Sequence, residues 1–275
     1  MVTSRLLLGA CCCCLLWGCG EAEYEARLQN SRDLFEYLQS LDRACTNPAW
    51  VRNDLGLAMR LPKPFKQPLP APAISKDDKG NPLPVLNDPR QPQILGVDLP
   101  GLEEAFRAEL PGSGGGEAMF FICTNHQRFR DRGPQTPDPG TLLTELELAA
   151  QAGFGVTFLD DDRLPENARY RLQAPKGGLG QTAQGNARFT TPKEFQAVRI
   201  SPPQAVGGQE IEGMLFRHEA GLIQVGILVV FPRSASSQFR ENVLLSLETL
   251  SASSEVPRPR SGSAGPAGGG RTPGF

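Results

Sequence analysis

Two runs near the C-terminus, residues 210–218 (EIEGMLFRH) and 222–231 (LIQVGILVVF), stand on either side of Glu219, Ala220 and Gly221. Apolar segments that meet at a short glycine-containing break form a β-hairpin, so the rest of the chain must supply a sheet around it. Pro232 ends the second strand, because proline has no N–H to give to a ladder. Ser234 or Ser236 then caps a helix in which Phe239, Val243, Leu247 and Leu250 recur at i, i+4, i+8 and i+11 and make one face. That helix is expected to lie across the sheet.

Further elements follow from the same patterns. Tyr24, Leu28, Leu34, Phe35, Leu38 and Leu41 recur at helical spacing over residues 24–44, which predicts a helix of about six turns. It serves either as a stalk or partner-binding helix or as a helix packed on the main domain. LGLAMRL (55–61) alternates as a half-buried strand does and is stopped by Pro62 and Pro64. From there to Pro92 the chain is proline-dominated and reads as an extended loop. Asp77, Asp78 and Asn81 in that loop lack the ligand spacing of a calcium site and read as a solvated turn. EAFRAEL (104–110) and AMFFICT (118–124), joined through PGSGGG, predict a second hairpin whose later strand is the more central. Residues 141–152 read as a helix ended by Gly153, and residues 154–159, 168–174 and 194–200 as three weaker strands. After Leu250 the composition turns to Ser, Gly, Pro and Ala, as in a disordered tail.

At the other end, Arg5 precedes an apolar run from Leu6 to Leu16, and Glu21, Glu23 and Glu25 close it. That order is a secretion signal, too short to cross a bilayer, which takes about 20 apolar residues. Leu16-Trp17-Gly18-Cys19 resembles the bacterial lipobox. The resemblance implies cleavage after Gly18 and diacylglycerol on the Cys19 thiol. Gly20 is not the aspartate that holds lipoproteins in the inner membrane of enteric bacteria, so the outer membrane, facing the periplasm, is the expected site. Cys11 to Cys14 are apolar filler in the signal, since a thiol behaves as a small hydrophobe.

The expected organisation is therefore a signal peptide (1–18), a lipid anchor with an amphipathic helix (19–54), an α+β domain (55–250) with a Pro-rich insertion at about 62–93, and a tail (251–275). Lys and Arg number 28 against 30 Asp and Glu, a formal net charge of −2. No basic tract grips a phosphate backbone, and nucleic acid is not an expected partner. Of the 7 cysteines, Cys19, Cys45 and Cys123 remain after cleavage. An exported location permits a Cys45–Cys123 disulfide, and two buried free thiols are the alternative.

An early strand leading into LPKPF, a long hairpin ending in VGILVVFP and a closing FRENVLLSLETL resemble the PsbP/DcrB-like α/β/α sandwich. The resemblance touches residues 55–65 and 194–250. It implies an antiparallel β-sheet flanked by helices, and a protein that binds partners or assists assembly. The combination of lipobox and Pro- and Gly-rich body is also similar to envelope lipoproteins of planctomycete-type bacteria.

Catalytic residues are scarce. Only His126 and His218 can serve as an imidazole base. His126 follows Cys123 by three residues, which makes a Cys–His pair conceivable at a strand end, although alternate residues point to opposite faces. Glu145 and Glu147 fall on different faces of a helix, and Glu210 and Glu212 read as a solvent-facing row. No GxSxG, HExxH, Walker or GxGxxG pattern occurs, and no catalytic residue, metal or cofactor is expected. The leading expectation is a non-enzymatic, lipid-anchored envelope protein that binds a protein partner. The alternatives are a ligand- or solute-binding lipoprotein and a cysteine-dependent enzyme.

Overall fold

A computed structural model describes residues 21–73, 88–110, 116–131, 133, 136–160, 166–175 and 189–258. In chain order the elements are α1 (Glu21–Ala44), β1 (Trp50–Arg52), β2 (Leu57–Met59), β3 (Leu102–Leu110), β4 (Gly116–Thr124), α2 (His126–Arg130), α3 (Leu142–Phe154), β5 (Arg169–Ala174), β6 (Lys193–Ile200), β7 (Ile211–Ala220), β8 (Ile223–Pro232), α4 (Ser237–Glu248) and β9 (Ser251–Ala252). Six strands form one antiparallel sheet in the order β3-β4-β8-β7-β6-β5. The β7–β8 hairpin lies at its centre, paired from Ile211↔Pro232 to Ala220↔Ile223. A smaller sheet has the order β1-β2-β9.

Period-two alternation sorts the central strands onto two faces. Phe120, Ile122, Phe216, Ile227, Val229 and Phe231 join Phe239, Val243 and Leu247 of α4 in one core, which extends to Leu57 and Met59 of the small sheet. Phe121, Cys123, Leu215, Leu228 and Val230 pack instead with Leu146, Ala150 and Phe154 of α3. The result is an antiparallel sheet flanked by helices, the architecture expected from the sequence. Each large apolar side chain so buried contributes about 1.5–3 kcal/mol.

Local chemistry sets the helix ends. Ser236 caps α4 by accepting from the Phe239 N–H at 3.2 Å. α3 runs past Gly153 and stops at Gly155, whose φ of 64° is the left-handed cap conformation. Gly153 serves packing instead, since a Cβ there would stand 2.9 Å from the Leu95 Cβ. Close approach also explains Gly226 and Gly213: added Cβ atoms would fall 2.1 Å from Leu146 and 2.6 Å from Phe154. These two glycines let α3 settle onto β7 and β8.

Three further expectations are corrected. Residues 154–159 do not form a strand; Leu159 makes only an isolated bridge to Ala168, because the chain is leaving the αL cap of α3. The chain after Leu250 is placed through Arg258. Ser251 and Ala252 pair with β2, and Ser253 donates its N–H to the Gly56 carbonyl at 2.9 Å. His218, whose place before a hairpin turn predicts exposure, is half-buried against Phe195 and hydrogen-bonds the Glu194 carbonyl at 2.9 Å.

α1 meets the domain through only part of its length. Its C-terminal turns pack on the domain: Tyr37, Leu41 and Ala44 are buried, and Tyr37 stacks on Phe189 at 5.8 Å. Before Tyr37, the helix lies in solvent apart from a partly covered Asp33.

Candidate functional site

Gly18 and Cys19, the expected cleavage and lipidation positions, lie outside the described residues. So does the turn around Asp77, Asp78 and Asn81. Cys45 and Cys123 are both buried and free. They belong to different clusters, Cys45 at the base of α1 and Cys123 under α3, so the disulfide is not formed. Burial pushes the Cys45 thiol up to about 11 and raises that of Cys123 further. Neither is an activated nucleophile.

His126 does not face Cys123. It opens α2 with 1% of its surface exposed, and its Nδ1 lies 3.0 Å from the Thr124 hydroxyl. The same hydroxyl donates to Glu103 Oε1 at 3.0 Å. Thr124 therefore bridges a carboxylate and an imidazole. Burial raises Glu103 above the ordinary carboxylate value, against the Thr124 hydrogen bond. Burial also lowers His126, with the Arg130 charge acting in the same direction. Burial thus favours the neutral form of both groups.

A β-bulge places Glu103. The β3–β4 register steps from Leu102↔Cys123 to Glu104↔Ile122, leaving Glu103 as the extra residue. Alternation along EAFRAEL cannot reveal this, since a bulge inverts the facing of the residues before it.

Two clefts flank the chain of three groups. One of about 410 Å³ is lined by His126 together with Asp54, Arg130 and Arg258. The other, of about 630 Å³, holds Glu103 with Arg52, Arg90 and Gln127. Asp54 is held low by the Arg52 guanidinium, so these walls carry fixed ion pairs. Among the described residues no cluster of His, Cys, Asp and Glu could hold a metal ion. No helix among them is long and apolar enough to cross a membrane.

Among the carboxylates singled out by sequence, Glu145 and Glu147 have separate partners, as their different helix faces imply. Glu145 pairs with Arg128 at 2.6 Å, while Glu147 is buried and accepts from Arg169 and Arg217. Glu210 is exposed, but Glu212 is not part of a solvent-facing row. It is 5% exposed, because it turns toward α4 and pairs there with Arg240 at 3.1 Å.

Comparison with protein families and with curated proteins finds no match in either.

Proposed function

We propose that this chain is a non-enzymatic envelope lipoprotein, held by diacylglycerol on Cys19, whose α1 is its partner-binding surface. One observation carries the second half of that reading. Tyr24 and Phe35 of α1 are 67% and 66% exposed, and Leu28 and Leu38 are each 40% exposed. With positions i, i+4, i+11 and i+14 they share one stripe, separate from the Tyr37, Leu41 and Ala44 stripe that docks on the domain. Helices in proteins draw most of their stability from packing an amphipathic face, so the projecting part gains by burying that stripe against a partner.

Charge narrows the partner. Glu21, Glu23, Glu25, Asp33, Glu36 and Asp42 outweigh Arg27, Arg32 and Arg43 along α1. The matching surface is an amphipathic helix with basic flanks, docked as helix against helix. Both faces of the six-stranded sheet are covered by helices, which moves the interaction from the sheet to α1. Because α1 starts two residues after Cys19, lipidation there sets this surface beside an outer membrane, facing the periplasm. The resemblance to PsbP/DcrB-like proteins accords with a partner-binding or assembly role.

The test uses the full chain in cells. Cys19→Ser is expected to abolish acylation and release the protein from the membrane. A photo-crosslinker at Phe35 should capture a basic, amphipathic segment, and Tyr24→Ser with Leu28→Ser should abolish that crosslink without changing the melting temperature. Membrane retention of Cys19→Ser with an unmodified N-terminus counts against the anchor. Capture of an acidic segment, or a crosslink indifferent to Tyr24 and Leu28, counts against the surface.

A further inference from the structure

Three arginines converge on Glu212 at one end of the six-stranded sheet. In the β6–β7–β8 register Arg199 opposes Met214 and Glu212 opposes Phe231. These four side chains therefore share the face covered by α4, with Arg199 diagonal to Glu212. Arg240, in the first turn of α4, places Nη2 3.1 Å from Glu212 Oε2. Arg199 Nη2 lies 3.5 Å from the same oxygen, and Arg233 Nε lies 4.0 Å from Oε1. The remaining bonds of the cluster go to neutral carbonyls, from Arg233 to Pro202 at 2.5 Å and from Arg240 to Arg233 at 3.3 Å. One carboxylate thus faces three guanidinium groups.

The glutamate on the other face of the sheet provides an internal comparison. Arg169 and Arg217 gather around Glu147, but Asp160 takes a second nitrogen of Arg169 at 2.7 Å. Two cations there meet two anions. At Glu212 two positive charges remain unmatched among the described residues. The Nε atoms of Arg199, Arg233 and Arg240 are also buried without a hydrogen-bond partner there. The three side chains remain 40%, 38% and 24% exposed, so their outer Nη groups reach solvent. The N-terminus of α4, capped by Ser236, adds its partial positive charge nearby.

We propose that Arg199, Arg233 and Arg240 form a binding site for a phosphate-type oxyanion. Guanidinium groups match such ligands in geometry as well as charge, and a dianion matches the excess of two. Glu212 spaces the arginines and competes with the ligand for them. The phosphate comes from a free phosphate ester or from a phospholipid headgroup. This site depends neither on Cys19 nor on the α1 surface.

Calorimetric titration of the full chain with inorganic phosphate, against chloride at matched ionic strength, tests it. Saturable 1:1 binding is expected. Arg199→Gln and Arg233→Gln should each weaken it about tenfold or more, while Arg107→Gln, at an exposed pair, should leave it unchanged. Glu212→Gln should tighten it, since the internal competitor loses its charge. That opposite sign keeps the test decisive if an arginine variant fails to fold. Dioctanoyl phosphatidic acid binding more tightly than inorganic phosphate, with dioctanoyl phosphatidylcholine silent, assigns the source to a headgroup. Equal affinity for phosphate and the short-chain lipid assigns it to a free ester. Absence of saturable phosphate binding, or binding indifferent to Arg199 and Arg233, overturns the proposal.

Discussion

Arg169 donates from Nε to Glu147 Oε1 at 3.0 Å, so that a strand at the edge of the sheet and the middle of α3 share one buried carboxylate. Arg217 of β7 donates to the other oxygen of the same carboxylate. Removing the carboxylate leaves Arg217 with only the neutral Gln196 amide and Arg169 with only the exposed Asp160. Glu147→Ala should lose about 3 kcal/mol in urea unfolding. Replacing Glu147, Arg169 and Arg217 together by leucine should recover most of that loss, because no charge is then stranded. A triple variant as unstable as Glu147→Ala would assign the loss to packing instead.

Gly226 should not tolerate a side chain. Its added Cβ would meet Leu146 Cδ2 at 2.1 Å, and Leu146 is fully buried. Gly226→Ala is expected to destabilise by about 1–3 kcal/mol through overpacking. In a Leu146→Ala background the same change should be nearly neutral, a coupling that a double-mutant cycle reads directly. Equal effects in both backgrounds would show that the two residues do not press on each other.

Glu103 and His126 give stability opposite pH slopes. His126 is lowered from 6.5, so the unfolded chain takes its proton first, and stability falls as pH drops below 6.5 toward the folded value. Glu103 is raised from 4.5, so its contribution is full below 4.5 and is lost as pH rises through its folded value. Glu103→Gln should therefore raise the melting temperature at neutral pH and leave it unchanged well below 4.5. His126→Gln should flatten the loss below 6.5. Parallel curves for wild type and both variants would remove the two groups from the pH dependence.

The thiols of Cys45 and Cys123 should resist reagents in the folded state. Both are 0% exposed and raised by burial, and attack requires an accessible thiolate. Iodoacetamide should label neither under native conditions and both in urea. Rapid native labelling of Cys123 would place it outside the core described for it.

The elements with a clean period were legible in the sequence. LIQVGILVVF, AMFFICT and the Phe239–Val243–Leu247 face all stand where their spacing predicts, and β3 is the edge strand beside the more central β4. The misreadings share a physical cause: the deciding partner is distant in sequence. Gly153 reads as a helix stop until Leu95 is seen against it, and Glu212 reads as solvent-facing until Arg240 comes down from α4. The tail boundary shifted because Ser251 and Ala252 take their strand character from β2, not from their own composition. In the site, His126 was visible at a strand end, but it was matched with Cys123 instead of Thr124, and Glu103 entered through a bulge that leaves no mark on apolar alternation.

β9 is only two residues long, yet it supplies the third strand of the small sheet by setting Ala252 against Leu57 and Ser251 against Ala58. A chain leaves the ribosome N-terminus first, so β1 and β2 keep an open edge until residue 252 has emerged. Synthesis and closure run in opposite order: the first strands made are the last completed. Until then the small sheet has two strands and the outer edge of β2 stays unpaired.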